Sequence, residues 1–328
     1  MRYVEAVSTT KKISKIGLGT WQFGSREWGY GPSYAGTEAA LIVRRALELG
    51  VTLFDTAEMY AFGRSERILG AALADAPVPV EAAFIATKIF PVLPVAPVVE
   101  QRAVASANRL GVRTIDLYQI HQPNPLVRDG TTMRGMASLR RVGLVDEVGV
   151  SNYSLDRWRT AEEALGGRVL SNQVQYSLIR RQADRDLIPF ARREGRLIIA
   201  YSPLAQGLLS GRYDVTTRPR GAVRAANPLF LTENLARLTP LLDVLREVGS
   251  AHDATPAQIA LAWAVHHPQV VAIPGASSVA QAESNAAAAD ITLTDAEYDA
   301  LTTAADSFAP LTGPSSWAAL AAERVGRS

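Results

Sequence analysis

The sequence predicts an α/β fold, a (β/α)8 TIM barrel with extra helices, long loops after its fourth and seventh strands, and a C-terminal tail. Three observations predict it. Eight short apolar, β-rich runs recur along the 328 residues, and amphipathic stretches separate them. Each connection is long enough to hold a helix, which makes parallel pairing of successive strands the natural arrangement. The rival, an open doubly wound sheet, wants a glycine-rich nucleotide turn after its first strand. Gly17, Gly19 and Gly24 of "GLGTWQFG" do not have that spacing.

Strands are expected at 15–19 (KIGLG), 51–55 (VTLFD), 83–88 (AFIATK) and 114–121 (TIDLYQIH), then at 146–151 (DEVGVS), 171–175 (SNQVQ), 196–202 (RLIIAYS) and 270–275 (VVAIPG). Between the first two, Ala39, Ile42, Val43 and Ala46 fall on one helical face, and Gly50 stands where a C-terminal glycine would end that helix. Leu187, Phe190 and Ala191 repeat the pattern before Gly195. Thr255-Pro256-Ala257-Gln258 supplies an N-cap, a proline at the first helical position and a glutamine at the third. The span 203–269 is much longer than the other connections and holds a loop, 209–228, followed by two helices. Helices near 279–288 and 295–304 follow the eighth strand, and then a tail with Phe308 and Trp317. No low-complexity linker divides the chain, so residues 1–328 are expected to form one domain.

Hydrophobic residues make up 48% and charged residues 20%, a globular balance that sets disorder aside. The 34 basic and 32 acidic residues leave a net charge of +2, too balanced to predict nucleic-acid or membrane partners. There is no cysteine, which excludes disulfides, thiol catalysis and thiolate metal sites. "MRYVEAVSTTKK" has no apolar leader core, and no apolar run approaches the ~18 residues of a membrane helix. A cytoplasmic location is expected, and oligomeric state is left open.

Barrels of this kind place their chemistry at the C-terminal ends of strands. The second expected strand ends in Asp55, the third in Lys88 and the fourth in His121, with 33 residues between successive members. Tyr60 follows on the loop after the second strand. Each has an ordinary explanation alone: a turn acid, a surface ammonium, a hydrogen-bonded core histidine, a packing tyrosine. Their shared register is harder to explain that way. Together they form a proton donor. A carboxylate keeps a buried ammonium charged, the ammonium lowers the pKa of a nearby phenol, and the phenol protonates a developing alkoxide while the imidazole orients the same oxygen.

Several stretches closely resemble the aldo-keto reductases, in order and in spacing from about residue 13 to 285. They are "DTAEMYAFGRSE" (55–66), Lys88 after "FIAT", His121 after "DLYQI", "GVSN" (149–152), "NQVQYS" (172–177), "YSPLAQGLLSGRY" (201–213) and "IPGASS" (273–278). The resemblance is strongest to the bacterial branch related to potassium-channel β subunits. It implies reduction of a small-molecule carbonyl substrate with NADPH, and Asp55, Tyr60, Lys88 and His121 as the catalytic set. Ser151, Asn152 and Gln173 match the groups that hold the nicotinamide amide, and Tyr201 matches the aromatic on which that ring stacks. Gly19, Thr20, Trp21, Ser202, Pro203, Leu204, Gln206, Gly207, Arg212, Gly275, Ser277, Gln281 and Asn285 complete the implied cofactor site. The basic loop after the seventh strand, with Arg218, Arg220 and Arg224 beside Arg212, is consistent with a cofactor clamp, and Arg218 and Arg220 read equally well as solvated charges.

One departure bears on the cofactor. Many relatives carry Arg or Lys where Gln281 stands and Glu where Ser284 stands. The fixed charge for a 2′-phosphate is therefore missing, and NADPH is expected to be preferred over NADH without strict selectivity. The substrate pocket is expected to draw on Trp21, Phe90 and the loop 122–129, with Trp317 or Phe308 from the tail. His252, His266 and His267 receive no role; the last two precede Pro268 at a helix end, where cations favour the dipole. A nucleotide-sensing subunit without turnover is the alternative function. A glycosidase using Asp55 with Glu58 ranks well below both, because the other strand ends supply Lys88 and His121 rather than a second carboxylate.

Overall fold

Eight parallel strands run in chain order around the sheet of the computed structural model, which describes residues 1–25, 37–219 and 222–325. They are β1 (Leu18–Gly19), β2 (Leu53–Asp55), β3 (Phe84–Ile89), β4 (Ile115–Ile120), β5 (Val145–Ser151), β6 (Ser171–Gln175), β7 (Leu197–Tyr201) and β8 (Val270–Ala272). Parallel bridges from Ile16 to Ala272 and from Gly19 to Gly275 close the sheet into a barrel. Closure needs glycine at position 19, where a Cβ would stand 2.7 Å from the Ile273 carbonyl. All eight expected strands form. β1 is shorter than expected, although the Lys15 carbonyl and the Gly17 N–H still bond Ala272 of β8 at 2.9 and 2.8 Å.

The helices are α1 (Ala39–Glu48), α2 (Arg64–Ala74), α3 (Ala96–Leu110), α4 (Asp129–Arg141), α5 (Leu155–Leu165) and α6 (Leu187–Glu194), then a short α7 (Ala222–Ala225), α8 (Thr232–Ala251), α9 (Pro256–Ala264), α10 (Val279–Ala287), α11 (Asp295–Asp306) and α12 (Gly313–Val325). In α1 the stripe Ala39, Ile42, Val43 and Ala46 is buried. The expected box before α9 forms: Thr255 accepts from the Gln258 N–H, and the Gln258 side chain accepts from the Thr255 N–H. Gly195 ends α6 in the left-handed region, as its place after the apolar stripe requires.

Side chains alternate along a strand, so every second residue points into the barrel. Leu53, Phe84, Ala86, Leu117, Leu197, Ile199 and Val271 share one buried apolar cluster inside it. Stepping two residues on from Leu53, Ala86 and Ile199 reaches Asp55, Lys88 and Tyr201, and two steps from Leu117 reach His121. The inner face thus turns from apolar to ionisable at its C-terminal end. The opposite end is plugged by a feature the sequence reading did not include. The N-terminal arm folds back on itself, with the Val4 N–H donating to Ile13 O at 2.8 Å, and Val7 and Ile13 join the inner cluster.

Two expectations are corrected, and a third residue is simply located. Phe308 packs in the main core cluster, so it is unavailable to a pocket. Trp317, on α12, is exposed. His266 and His267 are not cations at a helix end. His266 stacks on Tyr298 with ring centroids 4.2 Å apart, and the His267 Nε2 meets the Tyr298 hydroxyl at 3.2 Å. Burial pushes both imidazoles down, His267 to about 4. No helix among the described residues is long and apolar enough to cross a membrane.

Candidate active site

The mouth of the barrel brings Lys88 to Tyr60 and Asp55, which stand 28 and 33 positions before it in the sequence. Asp55 is the last residue of β2, Lys88 is the penultimate residue of β3, and Tyr60 follows on the turn after β2. The Lys88 ammonium donates to Asp55 Oδ2 at 2.7 Å, to the Thr56 carbonyl at 2.8 Å and to Tyr60 Oη at 3.2 Å. Lys88 is fully buried and Asp55 nearly so. Burial alone would pull the ammonium down. The Asp55 carboxylate and the Tyr60 oxygen outweigh it and hold Lys88 above the ordinary lysine value.

His121 lies one residue beyond β4, its N–H bonded to the Ile89 carbonyl at 2.9 Å. Its ring stands edge-on to Tyr60, centroids 5.7 Å apart, and edge-on to Phe90 at 6.0 Å. Burial, with help from the Lys88 charge, pushes its pKa down to about 3, so the imidazole is neutral at ordinary pH. For Tyr60 the expected direction is reversed. Desolvation holds the phenol above its ordinary value, and the Lys88 ammonium opposes this without overcoming it. Phenolate stabilisation at this site therefore begins from a firmly protonated phenol.

The other half of the mouth offers a cradle. Ser151 donates to the Gln173 carbonyl at 2.8 Å, and the Gln173 amide donates to Asp55 Oδ1 at 2.8 Å. Asp55 thus shares its two oxygens between Lys88 and Gln173. Asn152 is exposed and left-handed (φ 60°); its amide donates to Ser151 Oγ at 3.0 Å, and its Oδ1 accepts from the Tyr201 hydroxyl at 3.1 Å. After β7, Ser202, Ala205 and Gln206 are left-handed too. Four non-glycine residues in that region cost about 1 kcal/mol or more each, and such strain concentrates in ligand clamps. Pro203 and Leu204 complete the turn, whose Leu204 carbonyl accepts from the Gly207 N–H at 2.9 Å. Arg212 is exposed beyond it.

Across β8, Gly275 presents bare backbone, and α10 opens behind it with Ser278 as its cap. Gln281 folds back so that its Oε1 accepts from both the N–H and the hydroxyl of Ser277, each at 2.8 Å. Asn285 donates to the Gly275 carbonyl at 3.3 Å. Thr20 is a buried strut, bonding the Asp55 carbonyl at 3.0 Å and Ser65 at 2.8 Å. Trp21 is exposed with its ring 6.2 Å from that of Tyr60. An open rim with bare backbone, left-handed turns and a capped helix start suits an extended dinucleotide with phosphates.

Two readings change at the loops. Arg218 is neither solvated nor facing the cradle: it donates to Thr232 Oγ1 at 2.6 Å and pairs with Glu323 of α12 at 2.9 Å. Arg224 donates to the Gln206 carbonyl at 2.9 Å, supporting the strained turn, while Arg220 lies outside the described residues. Glu58 is not a second catalytic carboxylate. Arg102 grips both of its oxygens and the Phe90 N–H donates to one at 2.5 Å, which removes the glycosidase geometry. A hollow of about 660 Å³ beside the loop after β4, lined by Asn124, Leu126, Asp129 and Arg157, contains none of the four ionisable residues. The sequence reading missed the Thr56 carbonyl and Gln22, whose amide donates to the Ala276 carbonyl at 2.7 Å. No side-chain pattern signals a backbone acceptor.

The model of the Aldo/keto reductase family matches residues 15–306. An uncharacterized oxidoreductase of Mycobacterium tuberculosis is 55% identical over 327 residues, covering 100% of both chains. A methylglyoxal reductase of Escherichia coli is 32% identical over 87% of this chain and 88% of its own. An NADH-specific methylglyoxal reductase of the same organism is 30% identical over 90% of this chain and 96% of its own. Among solved structures, a glycerol dehydrogenase from Gluconobacter oxydans superposes with a TM-score of 0.85 at 26% identity, covering 95% of this chain and 98% of its own. An aldo-keto reductase from Klebsiella pneumoniae in complex with NADPH gives 0.72 at 27%, covering 92% and 93%. This chain belongs to the aldo/keto reductase family and has its oxidoreductase fold.

Proposed function

We propose that residues 1–328 act as one catalytic unit that reduces small aldehydes and ketones to alcohols, with NADPH preferred and Tyr60 as the proton donor. The observation that carries this reading is the chain of contacts from Asp55 through Lys88 to the Tyr60 oxygen. Because the ammonium donates to Oη, the phenol's own proton is left for a substrate oxygen. As that proton departs, the phenolate forms 3.2 Å from a buried positive charge, where the attraction is far stronger than in water. His121 is neutral and lies against the same ring, suited to hydrogen-bond the carbonyl oxygen and orient it. Trp21 and Phe90 wall the pocket.

The bound nicotinamide supplies the hydride that the carbonyl carbon accepts. In this reading Ser151, Asn152 and Gln173 hold its amide and Tyr201 its ring face. The turn 202–207 and Arg212 take the phosphates; Gly275, Ser277, Gln281 and Asn285 take the adenosine end; and Gly19, Thr20 and Trp21 close the near side. Support for NADPH comes from the Klebsiella pneumoniae complex. The NADH-specific relative and the uncharged, inward-folded Gln281 argue that the margin is small. The test is a panel of aldehydes, dicarbonyls and keto sugars with each reduced dinucleotide. Carbonyl-dependent oxidation of NADPH, with kcat/KM above that for NADH, is expected. Tight binding without turnover on any carbonyl would favour the sensing alternative, and equal kcat/KM with the two cofactors would refute the preference.

A further inference from the structure

His121 is held in an unusual way. A working imidazole is ordinarily oriented by a hydrogen bond on its second nitrogen. Here Nδ1 is buried and has no hydrogen-bond partner among the described residues. The ring is lodged instead between two others, edge-on to Tyr60 at 80° and to Phe90 at 86°. Each such contact is worth only about 0.5–1.5 kcal/mol beyond its buried area. That fixes an orientation only if the flanking rings are themselves immobile.

One ion pair holds the Phe90 side of this arrangement. Glu58 sits in the turn two residues before Tyr60, with its backbone N–H on the Lys88 carbonyl at 3.2 Å. Its Oε1 accepts the Phe90 N–H, and Arg102 of α3 forks onto both of its oxygens. Arg102 also donates to the Phe90 carbonyl at 2.8 Å. The pair thus reaches both backbone polar groups of Phe90, whose carbonyl also accepts from the Val92 N–H at 2.8 Å. A surface ion pair would do little here, but the Glu58 side chain is only 9% exposed, so the fork is largely shielded.

We infer that Glu58 and Arg102 are positioning residues for the carbonyl-orienting imidazole. By locking Phe90 and the Tyr60 turn together, they keep His121 edge-on, dry and neutral. The catalytic consequence rests on the function proposed above; the placement of the ring does not, and the experiment reads the two separately.

The placement is read by long-range ¹H–¹⁵N spectra of the four histidine rings against pH, with His121→Asn assigning the signal. The titratable groups around the ring are Lys88 and Tyr60, with Asp55 behind them. The wild-type His121 signal is expected to stay neutral down to about pH 4. In Glu58→Ala the released ring meets water and titrates near its ordinary value of ~6.5. Arg102→Met, which keeps the acceptor for the Phe90 N–H but breaks the fork, is expected to move it the same way. Glu58→Gln retains that acceptor and is expected to shift it least. In kinetics, kcat/KM for the carbonyl falls about ten- to a hundredfold in Glu58→Ala and gains an acid limb near pH ~6.5. Dinucleotide Kd stays within about twofold, as for sites not in contact. A His121 signal unchanged in folded Glu58→Ala and Arg102→Met would overturn the inference. So would a shift no larger in these variants than in Glu58→Gln. An inactive wild type would sink the proposed function and leave the spectra to decide the placement.

Discussion

Lys88 carries its charge with no solvent contact, and everything near it follows from that. Asp55, the Thr56 carbonyl and Tyr60 each supply part of what water would have supplied. Removing the carboxylate should therefore be costly. Asp55→Asn is expected to lower stability by roughly 3–5 kcal/mol, the usual result of stranding one member of a buried pair. Urea unfolding would show it, and Asp55→Asn combined with Lys88→Met should recover much of the loss. The pH sign follows from the raised lysine value. The pair's contribution is complete below the ordinary lysine pKa and is lost as pH rises through the higher folded-state value. At this scale the sequence was informative about the four ionisable residues, because strand period and unit length fix where a strand-end residue must stand. It was silent about the Glu58–Arg102–Phe90 clamp, whose members meet only through the reach of an arginine from α3.

Elements explain why the turn after β7 can hold a strained shape. Gln206 is left-handed, and its carbonyl is secured by Arg224 while its side chain accepts from Asn227 at 3.1 Å. Farther out, Arg218 ties the loop to Thr232 at the start of α8 and to Glu323 on α12. Glu323 also accepts from the Thr232 N–H at 2.9 Å, so α12 fastens both the loop and the helix that follows it. A half-buried pair of this kind is worth about 1 kcal/mol. If the loop clamps the dinucleotide, Glu323→Ala should raise its Kd by about fivefold with little change in the hydride step. Fluorescence titration and single-turnover kinetics would measure the two. Glu323 lies 105 residues from Arg218, and nothing in either local pattern announces the pairing. The capping box before α9 was legible for the opposite reason: its partners are three residues apart.

Across the whole molecule, the barrel's inner face runs from an apolar plug at one end to ionisable groups at the other. The polar end follows from alternation along each strand. The plug does not, because Val7 and Ile13 sit in a polar stretch and count as core only once the N-terminal arm folds inward. The buried histidines make acid stability a property of the entire fold. His121 and His267 are held to about 3 and about 4. Below pH ~6.5 the unfolded chain takes up protons that the folded one refuses, so stability should fall steadily from there to about pH 4. Thermal melts across that range would show the slope, and His267→Asn should flatten part of it. The central claim concerns the phenol, and the most direct measurement is the single-turnover oxidation of bound NADPH by an aldehyde in Tyr60→Phe. The account predicts a loss of about a thousandfold or more, within the range for a positioned acid, while dinucleotide affinity stays near wild type. A Tyr60→Phe enzyme that reduces the aldehyde at close to the wild-type rate would contradict it.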